Sequence, residues 1–72
     1  MAIDWRHPYS DTVIEIGYDD EAGELIVRWA RGGKTSVYSG VSFEQFDSLV
    51  KSSSVGAALA ADIKPHHPHR YA

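Results

Sequence analysis

The stretch RGGKTSVYSG, residues 31 to 40, places Gly33-Lys34-Thr35 where a phosphate-binding loop would carry its glycine, lysine and hydroxyl. A loop of that kind wraps phosphates with successive backbone amides, so it needs another glycine five positions earlier and a helix that starts at once. Position 28 is Arg28, and the residues after Lys34 are strand-like. Gly32-Gly33 therefore read as a hairpin turn that needs positive φ. His66, His67 and His69 carry imidazole, a common metal ligand, but a proline-interrupted tail has nothing to fix their rings, so no metal site is expected there. Asp19, Asp20, Glu21 and Glu24 lack the alternating spacing of a calcium loop and read as a solvated turn. Neither Ser10-Asp11 with His7 nor Ser52 to Ser54 with a tail histidine has the setting of an activated nucleophile. Ser42 and Ser54 are better placed as helix caps. No pair of titratable groups is spaced for acid–base work, so the chain reads as a non-enzyme with no cofactor implied.

One constellation remains. Arg28, Arg31 and Lys34 stand in a short stretch with Trp29 and Tyr38, so cations are interleaved with aromatic rings. Such a surface can hold phosphates and stack bases. The same residues also fit an ordinary polar edge, with Trp29 claimed by the core. The candidate binding surface is thus Arg28, Arg31, Lys34 and Tyr38.

The elements that must position these residues follow from periodicity. In TVIEIGY, Ile14, Ile16 and Tyr18 alternate with Val13, Glu15 and Gly17, the period of a half-buried strand. ELIVRWA repeats the pattern with Leu25, Val27 and Trp29 on one face. KTSVYS is a third, short strand with Ser36 and Tyr38 opposite Val37. Short connections make the three an antiparallel meander. The period then changes: Ser42 and Gln45 form a capping box, Val41 and Phe46 a hydrophobic staple, and Phe43, Phe46, Leu49 and Val50 one helical face. Ser54 caps a second, short helix in which Val55, Leu59 and Ile63 recur every four residues, ended by Pro65.

The expected fold is therefore α+β, a three-stranded antiparallel meander with one main helix and a short second helix packed on one face. Residues 1–11 read as an irregular lead-in, 12–64 as the domain and 65–72 as a mobile tail rich in His and Pro. The expected core is Ile14, Ile16, Leu25, Val27, Trp29, Phe46, Leu49, Leu59 and Ile63.

The totals bound the function. With 72 residues there is one small domain, and 43% hydrophobic content with eight aromatic residues is globular rather than disordered. No cysteine is present, which fits a reducing compartment, and no apolar run resembles a membrane span or a signal peptide, so a cytoplasmic location is expected. The formal net charge of −3 disfavours loose, charge-driven binding to nucleic acid. The charge is uneven, however: seven of the ten acidic residues precede residue 25, and Arg28, Arg31 and Lys34 follow.

In order, IGYD, LIVRW, a glycine turn, VYSGVS and SVGAALAADIK resemble the KTSC domain family, found at the C-terminus of some lysyl-tRNA synthetases and as stand-alone bacterial and phage proteins. The resemblance runs from about Ile14 to Lys64. The family's Tyr-x-Tyr motif has Ser36 at its first position and keeps Tyr38. The proline after Val41 is Ser42, and the phenylalanine of the last motif is Leu59. The resemblance implies the α+β fold and, through the synthetase context, RNA as a partner. Small size, acidic balance and lack of catalytic residues point first to a module that docks on a protein partner, such as a phage or bacterial accessory or inhibitor protein. The second expectation is an RNA or single-stranded nucleic-acid binding module using the second hairpin.

Overall fold

Alternating side chains and glycine turns produce a sheet wider than the three strands expected. The computed structural model describes residues 3–72. It contains β1 (Asp4–Arg6), β2 (Val13–Asp19), β3 (Glu24–Trp29), β4 (Thr35–Tyr38), α1 (Phe43–Val50), α2 (Val55–Ala58), a π-helical segment (Leu59–Ile63) that continues α2, and β5 (His69–Tyr71). The sheet is five-stranded, in the order β1-β2-β3-β4-β5, with every neighbouring pair antiparallel. The meander of β2, β3 and β4 forms its middle, turning between β3 and β4 at Gly32 and Gly33 with φ of 83° and 63°. The lead-in and the tail, expected to be irregular and mobile, supply the two edges. Three residues are too few for a period to show, and backbone pairing with β2 and β4 rather than apolar alternation orders them.

The helices cover one sheet face. Ile16, Tyr18, Leu25, Val27 and Tyr38 point up from the strands to meet Phe46, Leu49, Val55, Leu59 and Ile63 in one buried cluster. Tyr18 stacks on Phe46 with ring centroids 5.2 Å apart, and its hydroxyl donates to the Val41 carbonyl at 2.7 Å. The capping box at Ser42 and Gln45 forms in both directions, and Ser54 Oγ accepts from the Ala57 amide.

Ile14 departs from the expected core. The register of β2 against β3 slips between Val13 and Glu15, a β-bulge that adds one residue to β2 and reverses the alternation ahead of it. Val13 turns inward at 1% exposure and Ile14 is left 47% exposed. Trp29 also departs, being only partly buried against the cluster.

The π-helical segment has a reason in the sequence. Val55, Leu59 and Ile63 repeat every four residues, and at 3.6 residues per turn two such steps overshoot by roughly 80°. The wider turn, closed by the Lys64 amide donating to the Leu59 carbonyl at 2.9 Å, brings Ile63 back over the core. Lys64 follows directly, at the sheet end where β3 meets β4.

The other sheet face carries no helix. Trp5 lies across Gly17, its partner in β2, so closely that a Cβ added at Gly17 would stand 2.7 Å from the indole ring.

Candidate functional site

The ion pairs sort the seven Lys and Arg residues into two groups. Arg6 pairs with Asp4, Arg28 with Glu15, Lys51 with Asp47 and Arg70 with Glu24, at 2.8 to 3.2 Å. Arg31, Lys34 and Lys64 form no ion pair among the described residues, and all three line one cleft of about 470 Å³. The cleft lies on the helix-bearing face, at the corner where β3, β4 and β5 run past the end of the π-helical segment.

Its floor and walls come from the strands. Ser36 sits opposite Val27 on one side and Tyr71 on the other, and Tyr38 lies opposite Leu25 and His69. Trp29, at the end of β3, reaches over the strand and donates from Nε1 to Ser36 Oγ at 2.8 Å. His69 packs on Tyr38 at 5.1 Å between centroids and meets Tyr71 edge-on at 4.7 Å. The cations stand over rings: Lys64 Nζ is 4.9 Å from the Trp29 centroid and Lys34 Nζ is 5.5 Å from that of Tyr71. Burial, and next the neighbouring Tyr71, push the Tyr38 hydroxyl above its ordinary pKa, while the nearby Ser36 hydroxyl opposes the rise. At neutral pH Tyr38 is a neutral phenol. The cleft lining contains cations, rings and hydroxyls and no carboxylate.

Of the expected binding surface, Arg31, Lys34 and Tyr38 come together in this cleft. Arg28 does not. It sits opposite Thr35, and its guanidinium reaches Glu15 at 3.2 Å and the Trp5 ring at 6.0 Å. Strand alternation between Arg28 and Trp29 separates the two onto opposite faces. Lys64, His69, Tyr71 and Ser36 join the site from outside the expected set. Lys64 is far away in sequence, and His69 and Tyr71 belong to the tail. One signal was present. Ser36 and Tyr38 stand at the two tyrosine positions of the Tyr-x-Tyr pattern, only the second of them kept, Lys64 closes the SVGAALAADIK pattern, and the fold brings the two together.

The other sequence candidates lie outside this cleft or make local contacts. Gly32 and Gly33 form a turn that leads into β4, with no helix. Asp19 Oδ1 accepts from the amides of Glu21 and Ala22, which closes the acidic turn. Ser10 Oγ accepts from the amides of Thr12 and Val13, and His7 points to Glu15. Among the tail histidines, His67 is held between the Ser39 carbonyl and the Gln45 side chain, whereas His69 faces Tyr38.

The comparisons with known proteins agree with this architecture. The KTSC domain model matches residues 9–67, and the chain belongs to that family. The fold is similar to a crystal structure of a KTSC domain protein from Yersinia pestis, with a TM-score of 0.89, 24% sequence identity and 99% of each chain covered. That likeness extends over β1 and β5, which lie outside the family match. No curated protein matches the sequence. No described helix is long and apolar enough to cross a membrane.

Proposed function

We propose that the chain is a non-enzymatic module that binds single-stranded nucleic acid, RNA first, through the cleft between Trp29, Tyr38 and Tyr71. One observation carries the reading: all three cations without an acidic partner among the described residues line the same ring-walled cleft. A negative ligand there meets no opposing carboxylate, and rings beside cations suit bases beside phosphates. The net charge of −3 does not oppose this, because the acidic residues β1 to β3 contribute to the ion pairs lie outside the cleft.

The test is a titration of a fluorescent single-stranded RNA at low salt and neutral pH. Changing Arg31, Lys34 and Lys64 together to alanine should weaken binding strongly and flatten the salt dependence of what remains, since a phosphate that no cation neutralises releases no counterion. Arg28→Ala, which removes a cation from the other face, should leave binding nearly unchanged. Equal losses from both variants would defeat the proposal.

A second reading keeps the chain as a module docking on a protein partner. It is favoured by Trp5 and Ile14, which remain 38% and 47% exposed away from the cleft. Under that reading Trp5→Ala, rather than the cation changes, would abolish capture of a partner.

A further inference from the structure

We infer that the cleft takes a single nucleobase, seated over Ser36 beside the Trp29 and Tyr71 rings, with its phosphate at Lys34 and Lys64; this rests on the nucleic-acid reading and names what enters the site.

Ser36 is the one small residue among the rings. It is 1% exposed, opposite Tyr71 across the sheet and two residues from Tyr38 on the same face, and the Trp29 indole nitrogen reaches over to it. Ser36 is already covered, so an aromatic side chain at this position would displace Trp29 or extend into the adjoining cleft. The serine oxygen already accepts from Trp29, so the floor offers a ligand no more than the Ser36 O–H. A flat, largely apolar face suits such a floor, and stacking tolerates any base. The volume of about 470 Å³ is within the range of small-molecule sites and leaves room for a sugar and a phosphate beside the ring.

The two ammonium groups set the ligand's polarity. Lys34 Nζ lies over Tyr71 and Lys64 Nζ over Trp29, one on each ring that would flank the base. They arrive from different elements, Lys34 from the turn before β4 and Lys64 from the end of the π-helical segment. A phosphate attached to a base between those rings would be within their reach, whereas an uncharged ring would leave both ammoniums unmatched. The ligand is therefore a nucleotide unit rather than a nucleoside or a bare phosphate.

The experiment uses a Trp5→Phe background, in which Trp29 is the sole tryptophan and its fluorescence reports on the cleft. Adenosine 5′-monophosphate should quench it and displace a short oligoadenylate, whereas ribose 5-phosphate and inorganic phosphate should do neither. Ser36→Tyr should fill the site and weaken binding of both adenine ligands by about tenfold or more, the loss of one stacked base. Arg28→Ala, on the opposite sheet face, should bind nearly as well as the parent. Tyr71 is 64% exposed, so Tyr71→Ala removes a wall without opening the core and should show a similar loss if Ser36→Tyr does not fold. Ribose 5-phosphate binding as tightly as the nucleotide, or full binding by both Ser36→Tyr and Tyr71→Ala, would overturn the inference. If oligoadenylate then still bound in a salt-sensitive way that depended on Arg31, Lys34 and Lys64, the nucleic-acid reading would stand without it. If neither adenine ligand bound, both would fall.

Discussion

The Lys64 ammonium stands 4.9 Å from the centre of the Trp29 ring, joining the end of the helical layer to the end of β3. The contact depends on the π-helical segment before Lys64, and it leaves the Trp29 indole N–H free to reach Ser36. Trp29→Phe would keep a ring under the ammonium but leave the buried Ser36 oxygen without its donor, a loss of about 1–3 kcal/mol. Lys64→Ala would cost only about 0.5–1 kcal/mol, the scale of an exposed cation–ring contact. Urea denaturation of the two variants measures both, and a larger loss for Lys64→Ala would contradict this geometry.

The bulge in β2 makes neighbouring isoleucines unequal. Ile16 is fully buried and Ile14 is 47% exposed. Ile16→Ala is expected to cost about 2–5 kcal/mol, and Ile14→Ala to stay within about 0.5 kcal/mol of the parent. Comparable losses at both positions would mean that the strand runs without the bulge.

The tail is part of the sheet. β5 pairs with β4, Arg70 reaches Glu24 at 2.8 Å and His69 covers Tyr38. Removing residues 68 to 72 should expose the Tyr38 ring and lower stability by about 1.5–3 kcal/mol, the scale of uncovering one core side chain. Thermal melting of the shortened chain is the check, and an unchanged midpoint would show that β5 contributes nothing.

Much of this fold was legible because its central elements are long enough to show a period. β2, β3 and α1 each carry one, and the Ser42–Gln45 capping box and the Gly32-Gly33 turn mark boundaries by local chemistry. The bulge at Ile14 was hidden because a single inserted residue leaves the composition of a strand unaltered. β1 and β5 were hidden because three-residue edge strands depend on a neighbour's backbone. In the site, Arg31, Lys34 and Tyr38 were readable as one hairpin. Arg28 is near them in sequence, but the alternation of β3 already turns it to the face opposite Trp29, and Lys64 and Tyr71 reach the cleft only through tertiary packing.

Buried tyrosines should make the fold sensitive to alkali. Burial first, and then the nearby carboxylates Asp20, Glu44 and Asp19, push the Tyr18 hydroxyl above the ordinary tyrosine value, and burial does the same at Tyr38. In the unfolded chain both would lose their protons near pH 10, while in the fold they hold them. The stabilisation is therefore fully present below about pH 10 and is lost as pH rises through the folded values. Tyr18→Phe would give up the hydrogen bond to Val41 at neutral pH yet show a shallower fall in stability above pH 10. An equally steep fall in that variant would assign the sensitivity to other groups.

Whether ligand enters between β3, β4 and β5, as proposed, or on the helix-free face can be read from two indole resonances. Trp29 lines the cleft, and Trp5 lies across Gly17 on the opposite side of the sheet. Titration of the 15N-labelled protein with a short single-stranded RNA at low salt should move the Trp29 Nε1–H signal and leave that of Trp5 in place. Movement of the Trp5 signal with Trp29 stationary, or no movement of either at saturating RNA, would contradict the proposed cleft site.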